Sequence, residues 1–353
     1  MPVRERTELI QNFVVGELAA GGQDLARQIA QQFGISRQAA NRHLREMEEC
    51  GLVRSDGRTR AKTFSLVPTR AESWEYAAAG LREDEAWDEG VGPFLRGLPQ
   101  NVFDSFLYGV TEILNNAIDH SESERVEVSA TETAATATVV VRDRGVGIFA
   151  KLARDRGLSD PRHAILELGK GKLTTDPQRH SGQGIFFTSR LMDRFAIRSG
   201  RLSFRHVRPE EDWLTEELGD PVEGTTVEMT LRRESDVSLQ AVFDRFARPE
   251  EDDYAFSRTH VPVVLAQFDE LLVSRSQAKR VLSRIEQFKE VAFDFKGIDF
   301  VGQAFADEIF RVFVNAHPEV DVRHRNAGPR VLGMIRRAQE GNDAAGQARL
   351  FES

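Results

Sequence analysis

Glu112, Asn116 and His120 recur four residues apart, so a helix through residues 112–120 stacks a carboxylate, an amide and an imidazole on one stripe. Leu114, Ala117 and Ile118 are left for the stripe that faces a core. An amide oxygen at Asn116 can ligate Mg²⁺, and a carboxylate at Glu112 can orient or deprotonate a water beside a terminal phosphate. Further along, Asp143-Arg144-Gly145-Val146-Gly147 sets a carboxylate before two glycines. Backbone without a Cβ can approach a flat base there, and Asp143 can accept a hydrogen bond from an exocyclic amine. The chemistry these residues suit is the binding of a Mg²⁺-nucleotide.

Elements of the right kind surround them. Leu98-Pro99-Gln100-Asn101 leads into a long helix over 102–120, and the β-branched run 137–142 reads as a buried strand that delivers Asp143 to its turn. Gly182-Gln183-Gly184 precedes an apolar helix over 185–192, where free backbone amides at a helix N-terminus can cradle phosphate. Residues 224–231, Gly-Thr-Thr-Val-Glu-Met-Thr-Leu, read as a closing strand.

Taken in this order, the four segments resemble the N-box, the first glycine box and the later glycine elements of the GHKL ATPase superfamily. The resemblance implies ATP and Mg²⁺ as cofactors, with Glu112 as water-orienting base, Asn116 as metal ligand and Asp143 as adenine reader. Gly145, Gly147, Gly182 and Gly184 would approach the nucleotide through backbone, and Thr226 would hydrogen-bond around Asp143 through water. Residues 148–183 would hold the family's ATP lid, in which Lys170, Lys172 or Arg179 reaches the γ-phosphate; a solvated loop is the equal alternative for the lysines. Asn115 and Asp119 either brace the fold or touch ligand. His120 is not a phosphoacceptor, because acceptor histidines of sensor kinases sit on a separate helix and no such segment lies upstream. Slow hydrolysis, or ATP as a conformational ligand, fits better than rapid turnover.

Two further modules flank this core. In residues 1–70, amphipathic helices over 8–19, 24–33 and 37–49 are punctuated by Gly21-Gly22, Gly34 and Gly51, and a hairpin follows through Ser55-Asp56-Gly57-Arg58 to a strand over 61–67. This resembles a winged helix-turn-helix. Its third helix would offer Arg37, Gln38, Asn41, Arg42 and Arg45 to DNA, and its wing would offer Arg58, Arg60 and Lys62 to phosphates. The segment carries 11 Lys/Arg against 8 Asp/Glu, a balance of +3 on a chain of net charge −9, so a polyanion meets the head rather than the acidic body. A solvated face or a protein-docking winged helix is the alternative. Residues 71–97 are acidic and read as a helical linker anchored by Trp74, Tyr76, Leu81 and Trp87.

After a helix over 233–254 and the charged stretch 248–253, strands over 261–266, 270–273, 291–295 and 320–325 alternate with helices over 276–288, 302–314 and 329–338. Residues 294–302 resemble the strand-to-helix turn of STAS domains, which implies a protein partner. The family's phosphorylated serine has no counterpart in Gly302-Gln303-Ala304-Phe305-Ala306-Asp307-Glu308, so phosphorylation of the chain's own module at the usual site is excluded. Asp307 and Glu308 suit the first turn of a helix as dipole partners, and residues 339–353 read as a flexible tail.

The expected fold class is multidomain, α+β and α/β: winged helix at 1–70, GHKL α/β sandwich at 98–235, STAS-like βαβ domain at 255–338. No apolar run is long enough to span a membrane, the first eight residues are not a signal peptide, and a lone cysteine, Cys50, suits a reducing, cytoplasmic setting. Eight scattered histidines lack metal-ligand spacing. The reading is an ATP-binding, DNA-binding regulator, with a homodimer compatible. Its rivals are a protein serine kinase of the anti-sigma type acting on a separate STAS protein, and a non-hydrolysing scaffold. A topoisomerase or repair ATPase is disfavoured, since no transducer-sized domain follows Leu231.

Overall fold

A computed structural model describes residues 3–19, 24–57, 62–171, 183–208, 211–216, 219–246, 257–266 and 271–350. The N-terminal module folds as its punctuation demands. Helices α1 (Val3–Ala19), α2 (Leu25–Phe33) and α3 (Arg37–Glu49) pack over an antiparallel hairpin of β1 (Val53–Asp56) and β2 (Thr63–Leu66). Gly34 closes α2 in the left-handed region, and the Ser36 hydroxyl accepts from the Ala39 amide at 3.1 Å to start α3. Ile10, Val14, Leu25, Ile29, Ala40, Leu44, Met47 and Val53 form a small core separate from the rest of the chain.

The central module is a seven-stranded antiparallel sheet in the order β3-β4-β5-β9-β6-β7-β8. Its strands are β3 (Arg70–Ala77), β4 (Arg125–Glu132), β5 (Thr136–Asp143), β6 (Arg194–Gly200), β7 (Leu202–Val207), β8 (Glu211–Glu216) and β9 (Val222–Arg232). One face is covered by helices, among them α6 and α9, giving a two-layer α/β sandwich. In chain order the helices are α4 (Glu83–Ala86), α5 (Gly92–Leu95), α6 (Gln100–His120), α7 (Ile148–Arg156), α8 (Arg162–Lys170), α9 (Gly184–Leu191) and α10 (Leu239–Phe246). A π turn, Trp87–Val91, joins α4 to α5. Val102, Phe106, Val110, Ile113, Leu114 and Ala117 are buried along α6 at spacings of three and four, so this helix lies flat on the sheet. Burial of each large apolar side chain contributes about 1.5–3 kcal/mol.

The expected helical linker over 71–97 is corrected here. Residues 70–77 are a strand, paired residue by residue with β4 from Arg70↔Glu132 to Ala77↔Arg125. Only Val67, Pro68 and Thr69 separate this edge strand from β2 of the winged helix. Helical structure begins at Glu83, and Trp87 and Phe94 are buried in the sandwich core rather than in a spacer.

The C-terminal module is a three-stranded parallel sheet, β10 (Arg258–Pro262), β11 (Glu290–Asp294) and β12 (Asp321–Arg325), with β11 central. Its helices are α11 (Arg275–Leu282), α12 (Gln303–Asp307), α13 (Val314–Ala316) and α14 (Pro329–Leu350), with a π segment Glu308–Phe313 between α12 and α13. The expected strand over 261–266 begins and ends earlier, and Val263–Ala266 turns as a 3₁₀ helix. Of the strand expected at 270–273, Leu272 forms a single parallel bridge to Val301. Of the tail expected at 339–353, residues 339–350 continue α14 to Leu350, and 351–353 lie outside the described residues. Asp307 is held by Arg311, and Glu308 is buried near Arg275 and Lys279, so side-chain charges rather than a helix dipole account for both.

The central and C-terminal modules share one continuous apolar core. At their junction the Lys170 ammonium, at the end of α8, is almost wholly buried. It donates to Glu167 Oε1 at 2.6 Å and to the backbone carbonyls of Arg280 (3.1 Å) and Ser283 (2.9 Å). The Thr259 hydroxyl returns a 2.6 Å bond to the Lys170 carbonyl. Arg284 Nη1 also lies 3.5 Å from Glu167 Oε2. Lys170→Ala leaves Glu167 buried with one cation fewer and is expected to lower the unfolding free energy by about 3 kcal/mol. The double change with Glu167→Ala is expected to cost less than the sum of the two single changes, because no uncompensated carboxylate then remains. Denaturant midpoints of the three variants check this.

Candidate nucleotide site

Two elements define the site, and both are set by local sequence. The strand β5 ends at Asp143, whose side chain points to the helix-covered face with Val139 and Val141. The chain then turns beneath the C-terminal end of α6. The Val146 amide donates to the Ser121 carbonyl at 2.8 Å, and a Cβ on Gly145 would collide with that same carbonyl. Only glycine fits there without pushing the turn off the helix end. Gly147 follows at φ 78°, a region that favours glycine, and begins α7.

Asp143 Oδ1 accepts from the Gly145 amide (2.9 Å) and the Thr225 amide (3.2 Å). Both backbone bonds fall on one oxygen, so Oδ2 retains capacity for an exocyclic amine. Burial pushes the Asp143 carboxyl above its ordinary 3.8, and the bonds from Gly145 and Thr225 offset only part of that. The expectation that Thr226 serves Asp143 is corrected: β5 pairs with β9 so that Asp143 faces Thr225, while Thr226 faces Arg142. Side chains alternate along a strand, which sends Thr226 to the opposite face. Thr225 also accepts the Ile148 amide at 3.1 Å and so ties β9 to the start of α7.

The floor is α6. Asn116 uses its amide nitrogen to donate to the Glu112 carbonyl at 2.8 Å, which leaves Oδ1 as the end able to meet a cation. Glu112 lies one turn earlier, against the first residue of α9. A Cβ on Gly184 would collide with Glu112 Oε2 and come within 2.8 Å of its Cδ, so glycine lets the helix N-terminus and the carboxylate share one spot. Among the described residues there is no cluster of three His, Cys, Asp or Glu. Asn116 Oδ1 is the side-chain atom that would hold a Mg²⁺ here together with phosphate oxygens, as suits that ion. The glycine cradle, the buried acceptor and the oriented amide fit a nucleotide.

Lys170 does not point to this site. Its ammonium is spent on Glu167 and two carbonyls of the C-terminal module, so neither the γ-phosphate contact nor the solvated loop holds for it. Lys172, Thr174, Thr175, Arg179 and Gly182 lie outside the described residues.

In the winged helix, Gln38, Asn41, Arg42 and Arg45 all lie exposed on one side of α3, opposite buried Ala40, Leu44 and Met47. Arg37 is exposed but paired with Asp24 at 3.2 Å, and Arg42 Nε sits 3.6 Å from Glu46. On the wing, Lys62 reaches back to Glu48 at 3.2 Å and lies over the Phe64 ring. Arg58 and Arg60 lie outside the described residues.

Family models match three consecutive parts of the chain: the MarR family over residues 10–61, a histidine kinase-like ATPase domain over 65–205, and a STAS-like domain of unknown function over 277–331. The chain joins a winged helix, a GHKL-type ATPase fold and a STAS-like domain. The ATPase match starts at residue 65, just ahead of β3, which agrees with the edge strand belonging to the sheet. No curated protein matches the chain.

A carboxyl whose proton is held more tightly than usual sets the pH response of the GHKL-type site. The ionised carboxylate is the stronger acceptor for an amine, so nucleotide affinity is expected to fall as pH drops through a midpoint above 3.8. The same raised value means that the fold itself loses a small contribution to stability as pH rises through it. Calorimetric titration of ATP across acidic pH checks the first effect. Asp143→Asn is expected to bind weakly with no such midpoint.

Proposed function

We propose that this protein is an ATP-dependent regulator in which the GHKL-type domain binds Mg²⁺-ATP, turns it over slowly, and conveys its state to a DNA-binding head and a STAS-like module. The observation that carries this reading is Glu112 pressed against Gly184, Asn116 one turn on along α6, and Asp143 bonded to Gly145 and pressed against Gly224, the three glycines admitting no side chain. Asp143 would accept the base amine, with the Gly145 turn against the ring. Asn116 Oδ1 would orient the metal, which supplies charge neutralisation at the phosphates. Glu112 would align a water and take its proton. α8 is fixed to the STAS-like module through Lys170, which offers one route by which the state of the ATPase domain reaches that module.

For the head, support comes from the exposed stripe Gln38, Asn41, Arg42 and Arg45 on a third helix with MarR-family similarity. A recognition helix presents such side chains to base edges and phosphates. The three-residue link from β2 to the edge strand leaves little slack between the head and the ATPase sheet. No helix of the described residues is long and apolar enough to cross a membrane.

Purified protein tests the ATPase reading directly. Asn116→Ala is expected to lose Mg²⁺-dependent ATP binding. Glu112→Ala is expected to keep binding while turnover falls on the order of 10²–10⁴-fold. Absence of ATP binding by the wild type would sink the proposal, and binding without turnover would reduce it to a nucleotide sensor. Labelled ATP with separate STAS proteins distinguishes a kinase, which would show phosphate on the partner.

DNA binding has its own measurement. Fluorescence anisotropy with genomic fragments is expected to show affinity that falls with salt. Arg42→Ala or Arg45→Ala should each reduce the log–log salt slope by roughly one if that residue contacts phosphate. Binding that ignores salt and both substitutions would assign the head to protein docking instead.

A further inference from the structure

The third helix of the head carries its charges unevenly. Arg37, Arg42 and Arg45 lie in the N-terminal part of α3, while Glu46, Glu48 and Glu49 crowd its last turn. A polyanion is repelled by the carboxylate end and drawn to the other, so the N-terminal end of α3 enters a groove first.

At that end Gln38 and Asn41 are exposed, opposite buried Ala40, Leu44 and Met47. Neither side-chain amide has a hydrogen-bond partner among the described residues. Arg37, by contrast, is held by Asp24 at 3.2 Å, and Arg42 Nε lies 3.6 Å from Glu46. A primary amide offers an acceptor oxygen beside a donor NH₂. In the major groove adenine presents the complement, an N7 acceptor beside the N6 amine, whereas guanine presents two acceptors. The amide therefore makes its full pair of bonds to adenine. Three residues of helix rise about 4.5 Å, closer to one base-pair step of ~3.4 Å than to two.

A second feature fixes the register. A notch of ≈ 420 Å³ beside the first turn of α3 is lined by Arg27, Ala30 and Gln31 of α2 and by Arg37. The Arg27 guanidinium is exposed and makes no ion pair or hydrogen bond with a described residue. Arg37 is braced by Asp24, so the notch joins one fixed guanidinium to one uncommitted one. Two such groups against one carboxylate leave a single positive charge, which suits the single charge of a backbone phosphate.

We infer that α3 reads two neighbouring A·T base pairs of duplex DNA, Gln38 on one adenine and Asn41 on the next, while the Arg27 notch grips a phosphate beside them. This rests on the DNA-binding reading of the head and names the sequence class that head selects. Phosphate contacts set position and carry no sequence, so the two parts are separable.

Full-length protein is used to select duplexes from a library with a randomised core, and affinities are then read by fluorescence anisotropy. The selected duplexes are expected to share a step of two A·T pairs. Replacing either adenine by 7-deazaadenine, which lacks the N7 acceptor, is expected to weaken wild-type binding on the order of tenfold. One replacement should cost Asn41→Ala nothing and the other should cost Gln38→Ala nothing, because the amide it would unpair is already gone. Arg27→Gln is expected to weaken every duplex alike and to lower the log–log salt slope by roughly one, with base preference intact. All three side chains are exposed, so these variants are expected to melt with the wild type. Selected duplexes without an A·T step, or indifference of the wild type to 7-deazaadenine, overturn the amide readout while DNA binding stands. An unchanged salt slope in Arg27→Gln overturns the notch. No binding of any duplex by the wild type removes the DNA-binding reading itself, and this inference with it.

Discussion

The ammonium of Lys170 is the interaction on which the arrangement of modules depends. A buried lysine is tolerable only where fixed acceptors replace water, and here they come from two places: Glu167 on its own helix and two carbonyls near the end of α11. Neither module satisfies the charge alone. The same helix, α8, immediately precedes residues that separate it from the glycine seated on Glu112. The contact that holds the STAS-like module therefore sits on the last helix before α9. A two-state element at that point would bias both sides at once, which is what coupling between sites requires.

The nucleotide site follows from a second constraint, that α6 must serve a core and a pocket at once. Its buried stripe is continuous from Val102 to Ala117, and Gly109 lets it approach α9 closely, with Met192 Cε and Thr188 Cγ2 within 3.0 Å of where a Cβ would be. Glu112 and Asn116 occupy the flank of that stripe, half-buried, where a carboxylate and an amide keep access to solvent while the helix is immobilised beneath them. The strand β5 supplies the other wall, because its alternation commits Asp143 to the helix side once Val139 and Val141 are buried. Positioning by rigid elements, rather than by loops, is what gives such a constellation its geometry.

What the sequence disclosed was whatever depends on near neighbours. The helix over α3, its Ser36 cap and its exposed Gln38–Arg45 stripe follow from 3.6-residue spacing, and so does the pairing of Glu112 with Asn116. The strand β3 was hidden for a physical reason. As the edge of a sheet it buries little, and only Trp74 and Tyr76 are even half-buried among charged neighbours, so its composition resembles an acidic spacer. The alternation Trp74, Tyr76, Ala78 was the available signal. Thr225 was missed in favour of Thr226 because the choice is one of strand parity; Val227, Met229 and Leu231, buried on the same face as Thr225, could have decided it. Lys170 could not be read at all, since its partners Arg280 and Ser283 are more than a hundred residues away.

The helix α9 gathers these threads. It is eight residues long, about 12 Å at 1.5 Å per residue, and its two ends meet different chemistry. At the first, Gly184 is pressed against the Glu112 carboxylate; at the other, Arg190 lies buried against His206 and Phe186. Phe187 stacks on Phe243 of α10 at 4.2 Å, and α10 carries Arg245. A rigid rod of this length cannot shift at one end without moving the other, because the packed rings leave no room for it to bend. The Glu112 carboxylate and the Arg190–His206 pair therefore share one mechanical element.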